Sequence, residues 1–141
     1  MRRVDVQHEF TKPPERVFAY LAEHEHLGPV LGAKITRLRD GTDGRRNGVG
    51  SARELKIGPL PSFEETNTEV VDDRLIRYRI TRGSPLNHHR GTMTFDPSPS
   101  GGTRFSWTIE LGSAIPGLAA LVELALTRSI TKAMGTVEAK A

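Results

Sequence analysis

Apolar and polar residues alternate along most of this chain. Val4, Val6, His8 and Phe10 are interleaved with Asp5, Gln7 and Glu9, the two-residue period of a strand with one buried face. Further alternating stretches fill the chain from about 32 to 111, and turn residues divide them. The pattern predicts strands over 33–39, 49–57, 63–71, 75–82, 87–96 and 103–111. The breaks fall at Asp40 to Gly44, at Gly58-Pro59-Leu60-Pro61-Ser62, at Asp72-Asp73, at Gly83-Ser84-Pro85-Leu86, and at the loop from Pro97 to Gly102. Arg45 to Gly48 is expected to be an extended connector.

Two places switch to the helical period. Pro13-Pro14 cannot donate to a sheet ladder but suits a first helical turn, and Val17, Phe18, Leu21 and Ala22 then share one helix face. This first helix is expected to end near Glu23, with a second short helical fragment around His24 to Pro29. Towards the C-terminus Ile115, Leu118, Val122, Leu126, Ile130, Ala133 and Val137 recur every three or four residues, which predicts a long helix over about 116–137. Leu121, Leu124 and Ala125 widen the stripe in its first half, beyond what a flat sheet needs, so that part is expected to wall a cavity. The whole reads as an α+β fold in which a seven-stranded curved antiparallel sheet wraps around a long C-terminal helix, with two short helices after strand one. A gap between such a sheet and its helix suits a small apolar molecule.

Length limits the chain to one domain, 1–141. There is no cysteine, which excludes disulfides, thiolate nucleophiles and thiolate metal sites. The formal charge of +3 raises the question of nucleic acid, but the basic residues are interspersed with acidic ones, as on a solvated face, and no nucleic-acid partner is expected. The N-terminus lacks the apolar run of a secretory signal, and the stretch from Ile115 to Leu126 is too short and too interrupted to span a membrane, so a cytoplasmic protein is expected. His24 with His26, and His88 with His89, point to different sides of their elements, and neither pair is expected to bind metal. No glycine cluster fits a nucleotide loop and no serine sits in a nucleophile elbow, so no cofactor is expected and no catalytic residue can be named.

Strand pairing narrows the search for a site. A symmetric turn at Gly58 to Ser62 sets Ile57 opposite Phe63, Leu55 opposite Glu65 and Arg53 opposite Asn67. A tight turn at Asp72-Asp73 brings Tyr78 to Asn67 and Ile80 to Glu65. The loop from Pro97 to Gly102 pairs Phe95 with Thr103, Met93 with Phe105 and Gly91 with Trp107, with His89 near Ile109; a bulge could instead bring His88 or Arg90 inward. Leu55, Ile57, Phe63, Tyr78 and Ile80 make their shared face the concave one. Arg53, Glu65 and Asn67 then face an apolar interior, which is costly unless they are paired or meet a polar ligand group. The candidate ligand-binding set is Arg53, Glu65, Asn67, Tyr78, His89, Met93 and Trp107.

Three segments carry a resemblance. Pro13-Pro14-Glu15-Arg16-Val17-Phe18-Ala19-Tyr20-Leu21, Arg74-Leu75-Ile76-Arg77-Tyr78-Arg79-Ile80 and Gly101-Gly102-Thr103-Arg104-Phe105-Ser106-Trp107 resemble the first helix, fifth strand and seventh strand of the SRPBCC (START/Bet v 1-like) superfamily, in its polyketide cyclase/dehydrase-like branch. The resemblance implies the helix-grip fold and a small hydrophobic ligand, a lipid, polyketide-like or isoprenoid compound. The alternatives are a cyclase or dehydrase using the same cavity, and a protein-interaction or toxin-antitoxin or stress component presenting Arg77, Arg79 and Glu64 outward. A homodimer is compatible with any of these.

Overall fold

The computed structural model describes residues 1–141. Its elements are β1 (Arg2–Phe10), α1 (Pro14–Ala22), a 3-10 turn (His24–His26), α2 (Leu27–Leu31), β2 (Lys34–Arg39), β3 (Ala52–Lys56), β4 (Phe63–Val71), β5 (Leu75–Gly83), β6 (Leu86–Pro97), β7 (Thr103–Ser113) and α3 (Leu118–Lys140). The strands form one curved antiparallel sheet in the order β1-β7-β6-β5-β4-β3-β2. Only the β1–β7 neighbours are distant in sequence, so the short helices carry the chain from one sheet edge to the other. α3 packs on β1 and β7 and against α1 and α2. This is the helix-grip arrangement, with a core of 28 buried apolar side chains held between sheet and helices.

Local chemistry sets the boundaries. Pro13 sits extended before α1 and Pro14 opens it, where the missing N–H costs nothing. Gly32, at φ +69°, ends α2 in the left-handed conformation that a side chain would strain. The connector expected to be extended is instead folded into turns: Gly41 N–H donates to Arg45 O, Gly48 N–H also to Arg45 O, and Ser51 N–H to Gly48 O. Val49 and Gly50 therefore lie outside β3.

Two hairpins pair two residues away from expectation. Leu55 faces Phe63 and Arg53 faces Glu65, because Leu60 N–H donates to Ile57 O and this inner turn takes Ile57 out of the ladder. Phe95 faces Phe105, Met93 faces Trp107 and Gly91 faces Ile109, because the strands meet sooner: Ser98 N–H donates to Gly102 O and the Ser98 hydroxyl accepts from Gly102 N–H. A slip of two leaves every side chain on its expected face. The β4–β5 pairs Asn67 with Tyr78 and Glu65 with Ile80 are as expected, with irregularities at Thr68 and at Thr81.

The stripe on α3 is narrower than expected. Val122, Leu126, Ile130, Ala133, Met134 and Val137 are buried, but Leu121 is 64% exposed, Leu124 49% and Ile115 52%. Residues 121 and 124 lie about 100° and 200° around the helix from Val122, off the line that meets the sheet. They line neither interior cavity, whereas Ala125, the third residue expected to wall one, does.

Candidate functional site

β3 and the residue before it, with β4, send Ser51, Arg53, Glu65 and Asn67 inward, and all four are buried. Arg53 Nε donates to Glu65 Oε1 at 3.1 Å, and Arg53 Nη1 donates to Asn67 Oδ1 at 3.3 Å. Nη2 lies 3.0 Å from the same Glu65 oxygen but lacks hydrogen-bond alignment, so its protons are unpartnered. The guanidinium carbon sits 4.9 Å from the centre of the Tyr78 ring, a cation over a π face.

Asn67 Nδ2 donates to Ser51 Oγ at 3.2 Å, and the Ser51 hydroxyl donates to Gly48 O at 2.7 Å. That hydroxyl has only one proton, so His24 Nε2, 3.1 Å away, must be the donor in its contact with Ser51. His24 is then the neutral Nε2–H tautomer, with a bare Nδ1 that has no partner. Burial, then the charges of Arg53 and Arg37, push its pKa down to about 3. The sequence reading missed both His24 and Ser51. Ser51 shares the strand parity of Arg53, a usable signal, whereas His24 opens a three-residue 3-10 turn, too short for any periodicity to report direction.

β5 and β6 supply the rest. Their pairing runs from Leu75 with Thr94 to Arg79 with Arg90 and then stops. At that point β6 is irregular between Asn87 and Arg90, with His88 at φ +53°. The irregularity turns His89 inward and leaves His88 and Arg90 outside. His89 Nε2 lies 3.7 Å from Glu65 Oε2, and Nδ1 is buried without a partner. Burial lowers the His89 pKa more than Glu65 raises it, so the ring is neutral. Tyr78 lies across Gly91, where a Cβ would fall 2.1 Å from the ring carbon bearing the hydroxyl, so only glycine fits. Trp107 Nε1 donates to the Tyr78 oxygen at 3.0 Å. Burial pushes the phenol pKa far up, so Tyr78 keeps its proton, and that proton has no acceptor.

The apolar space beside these groups is small. A cavity of about 20 Å³ is lined by Leu31, Leu55, Phe63, Leu86 and Leu126, with Glu65, Tyr78 and His89 as its polar wall. It adjoins a cavity of about 50 Å³ whose walls include Leu60, Ser84, Pro85 and Ala125, at the β3–β4 and β5–β6 turns. Of the seven expected site residues, Glu65, Tyr78 and His89 reach this space. Arg53, bonded to Glu65 and Asn67, does not line it, nor does Asn67, while Met93 and Trp107 are core residues. No group of His, Asp or Glu residues is arranged to hold a metal ion, and no helix is long and apolar enough to cross a membrane.

A sheet gripping one long helix, with a few buried polar groups beside an apolar gap, defines a helix-grip protein. The sequence matches the family model described as polyketide cyclase / dehydrase and lipid transport over residues 1–141, and the chain belongs to that family. Among solved structures it is similar to a START superfamily protein from Mycobacterium smegmatis (TM-score 0.78, 16% identity, 99% of each chain covered). It is also similar to the Zhui aromatase/cyclase from Streptomyces sp. R1128 (TM-score 0.75, 17% identity, 97% of this chain and 93% of that one). A third is norcoclaurine synthase from Thalictrum flavum, in complex with dopamine and hydroxybenzaldehyde (TM-score 0.70, 17% identity, 99% of this chain and 84% of that one). At these identities the likeness is one of fold. No curated protein matches the sequence.

Proposed function

We propose that the chain binds a small apolar molecule carrying one carbonyl or hydroxyl oxygen, in the gap between α3 and the sheet. The observation that carries this reading is the unclaimed Tyr78 proton at the edge of an apolar cavity, with the bare His89 nitrogen in the same wall. Tyr78 donates to the ligand oxygen, Glu65 is held by Arg53, and Trp107 fixes the phenol. Drug-sized ligands need roughly 300 Å³ or more, so binding parts Leu60, Pro85 and Leu86 from α3.

Native mass spectrometry of protein purified from its own host would detect a bound molecule. The quantitative test uses prodan, a neutral naphthalene ketone. The wild type should bind prodan, and Tyr78→Phe should weaken binding about tenfold while leaving the protein folded, as expected for one hydrogen bond to an otherwise unpaired donor. Unchanged affinity in Tyr78→Phe, or no binding of prodan by the wild type and no co-purified molecule, would refute the reading.

A second reading, a cyclase or dehydrase, draws on His89. A neutral imidazole with one nitrogen towards a carboxylate and the other unpartnered is the arrangement of a general base. If a substrate is found, His89→Gln should abolish turnover while retaining binding.

A further inference from the structure

The interior site leaves unused a larger concavity on the opposite side of the sheet. Where β5 and β6 part after Arg79 and Arg90, their outer face forms a cleft of about 600 Å³, lined by Thr68, Arg77, Arg79, His88, Arg90 and Thr92, and bordered also by Tyr78, Ile80, His89 and Gly91. No carboxylate lines it.

Arg79 and Arg90 are direct cross-strand partners. Side chains so placed stand about 5 Å apart at their base, and two like charges there repel and destabilise the sheet. Neither has an ion pair or hydrogen bond to relieve this. Their other register partners are Thr66 and Glu110, and the Glu110 carboxylate makes no ion pair with Arg90. Arg77, by contrast, is engaged with Glu69 at 2.9 Å. Beside the pair, exposed His88 is held at φ +53°, a strained conformation for a non-glycine residue, in the same irregularity that opens the strands.

We propose that this cleft binds a phosphate group, held between the Arg79 and Arg90 guanidinium groups with His88 beside them. One arginine fork already saturates the two oxygens of a carboxylate, whereas a tetrahedral phosphate offers enough oxygens for two forks and an imidazole. The bound anion also removes the repulsion that the free protein carries. The site lies on the outer face, so it is independent of the reading given for the interior cavity.

The test uses the full chain at low ionic strength with inorganic phosphate as the probe, titrated calorimetrically against chloride of matched ionic strength. A parallel arm measures sedimentation with phosphatidylcholine vesicles with and without phosphatidic acid. Arg79→Gln/Arg90→Gln is compared with Arg74→Gln/Arg128→Gln, which removes the same charge from exposed positions elsewhere. The wild type and the control should bind, and the Arg79/Arg90 variant should bind at least about tenfold more weakly. Without phosphate, that variant should unfold at a temperature no lower than the wild type, because a repulsive pair has been removed. Binding of free phosphate alone assigns the site to soluble phosphorylated molecules, and added binding to phosphatidic acid vesicles assigns it to a lipid headgroup. The inference is overturned if the wild type binds neither probe above chloride, if the Arg79/Arg90 variant binds as well as the control, or if that variant is markedly less stable. Arg90→Gln alone, which removes the same repulsion, is read the same way.

Discussion

Arg53 and Glu65 are 1% and 2% exposed, and each is the other's main electrostatic partner. In that position the pair is held by mutual dependence more than by net gain, since two desolvated charges recover little beyond their desolvation cost. Arg53→Met strands the Glu65 carboxylate beside Tyr78 and His89, and should lower stability by about 3 to 5 kcal/mol. Arg53→Met/Glu65→Leu removes both charges and should recover most of that loss in urea denaturation. Equal losses in the single and double variants would show that packing, not charge, dominates there. The same geometry bears on an expectation from sequence: Arg53, one of the candidate ligand-binding set, does not line the cavity and instead holds Glu65.

Among the elements, α3 and the β5–β6 pair contrast most. α3 presents one narrow buried line to the sheet, so Leu126→Ala, at a residue only 6% exposed, should cost about 2 to 5 kcal/mol by leaving a cavity. Leu121→Ala lies off that line and should change stability by no more than about 0.5 kcal/mol. Chemical denaturation of the two variants checks the helix orientation, and similar effects would contradict it. β5 and β6 are instead defined by where they stop pairing. That break puts His89 inside and His88 and Arg90 outside, and so makes the two faces of the sheet chemically distinct there.

For the whole molecule, the interior polar groups make folding sensitive to acid. His24 titrates near 6.5 when unfolded but near 3 in the fold, and His89 is also depressed. Between those values the unfolded chain binds the extra proton, so stability falls as pH falls, by ~1.4 kcal/mol per pH unit for one such group, and is fully present above the unfolded value. Glu25, lowered to about 2 by Arg37, adds in the same direction at more acid pH, though its exposure keeps its share small. Urea midpoints measured from about pH 7 to pH 4 should decline steadily. His24→Gln, whose amide can still donate to Ser51, should flatten that decline. A flat profile in the wild type would mean that His24 is not buried neutral.

Hydrophobic periodicity, of two residues in the strands and of three to four in the helices, determined most of the fold. It specified seven strands and the single long helix. It also specified which side of each strand is buried, because facing depends only on parity and survives the two-residue slips made by the turns at Ile57 to Leu60 and Ser98 to Gly102. For that reason Arg53, Glu65, Asn67, Tyr78, Met93 and Trp107 could be placed inside from sequence. Distances and partners were decided only in the tertiary structure. Whether an inward residue touches open space or another side chain depends on packing across elements, and it left Glu65, Tyr78 and His89 at the cavity while taking Arg53, Asn67, Met93 and Trp107 out of it. His24 became part of the site only because the crossing helices bring it onto Ser51, a contact 27 residues apart in sequence that no local period encodes.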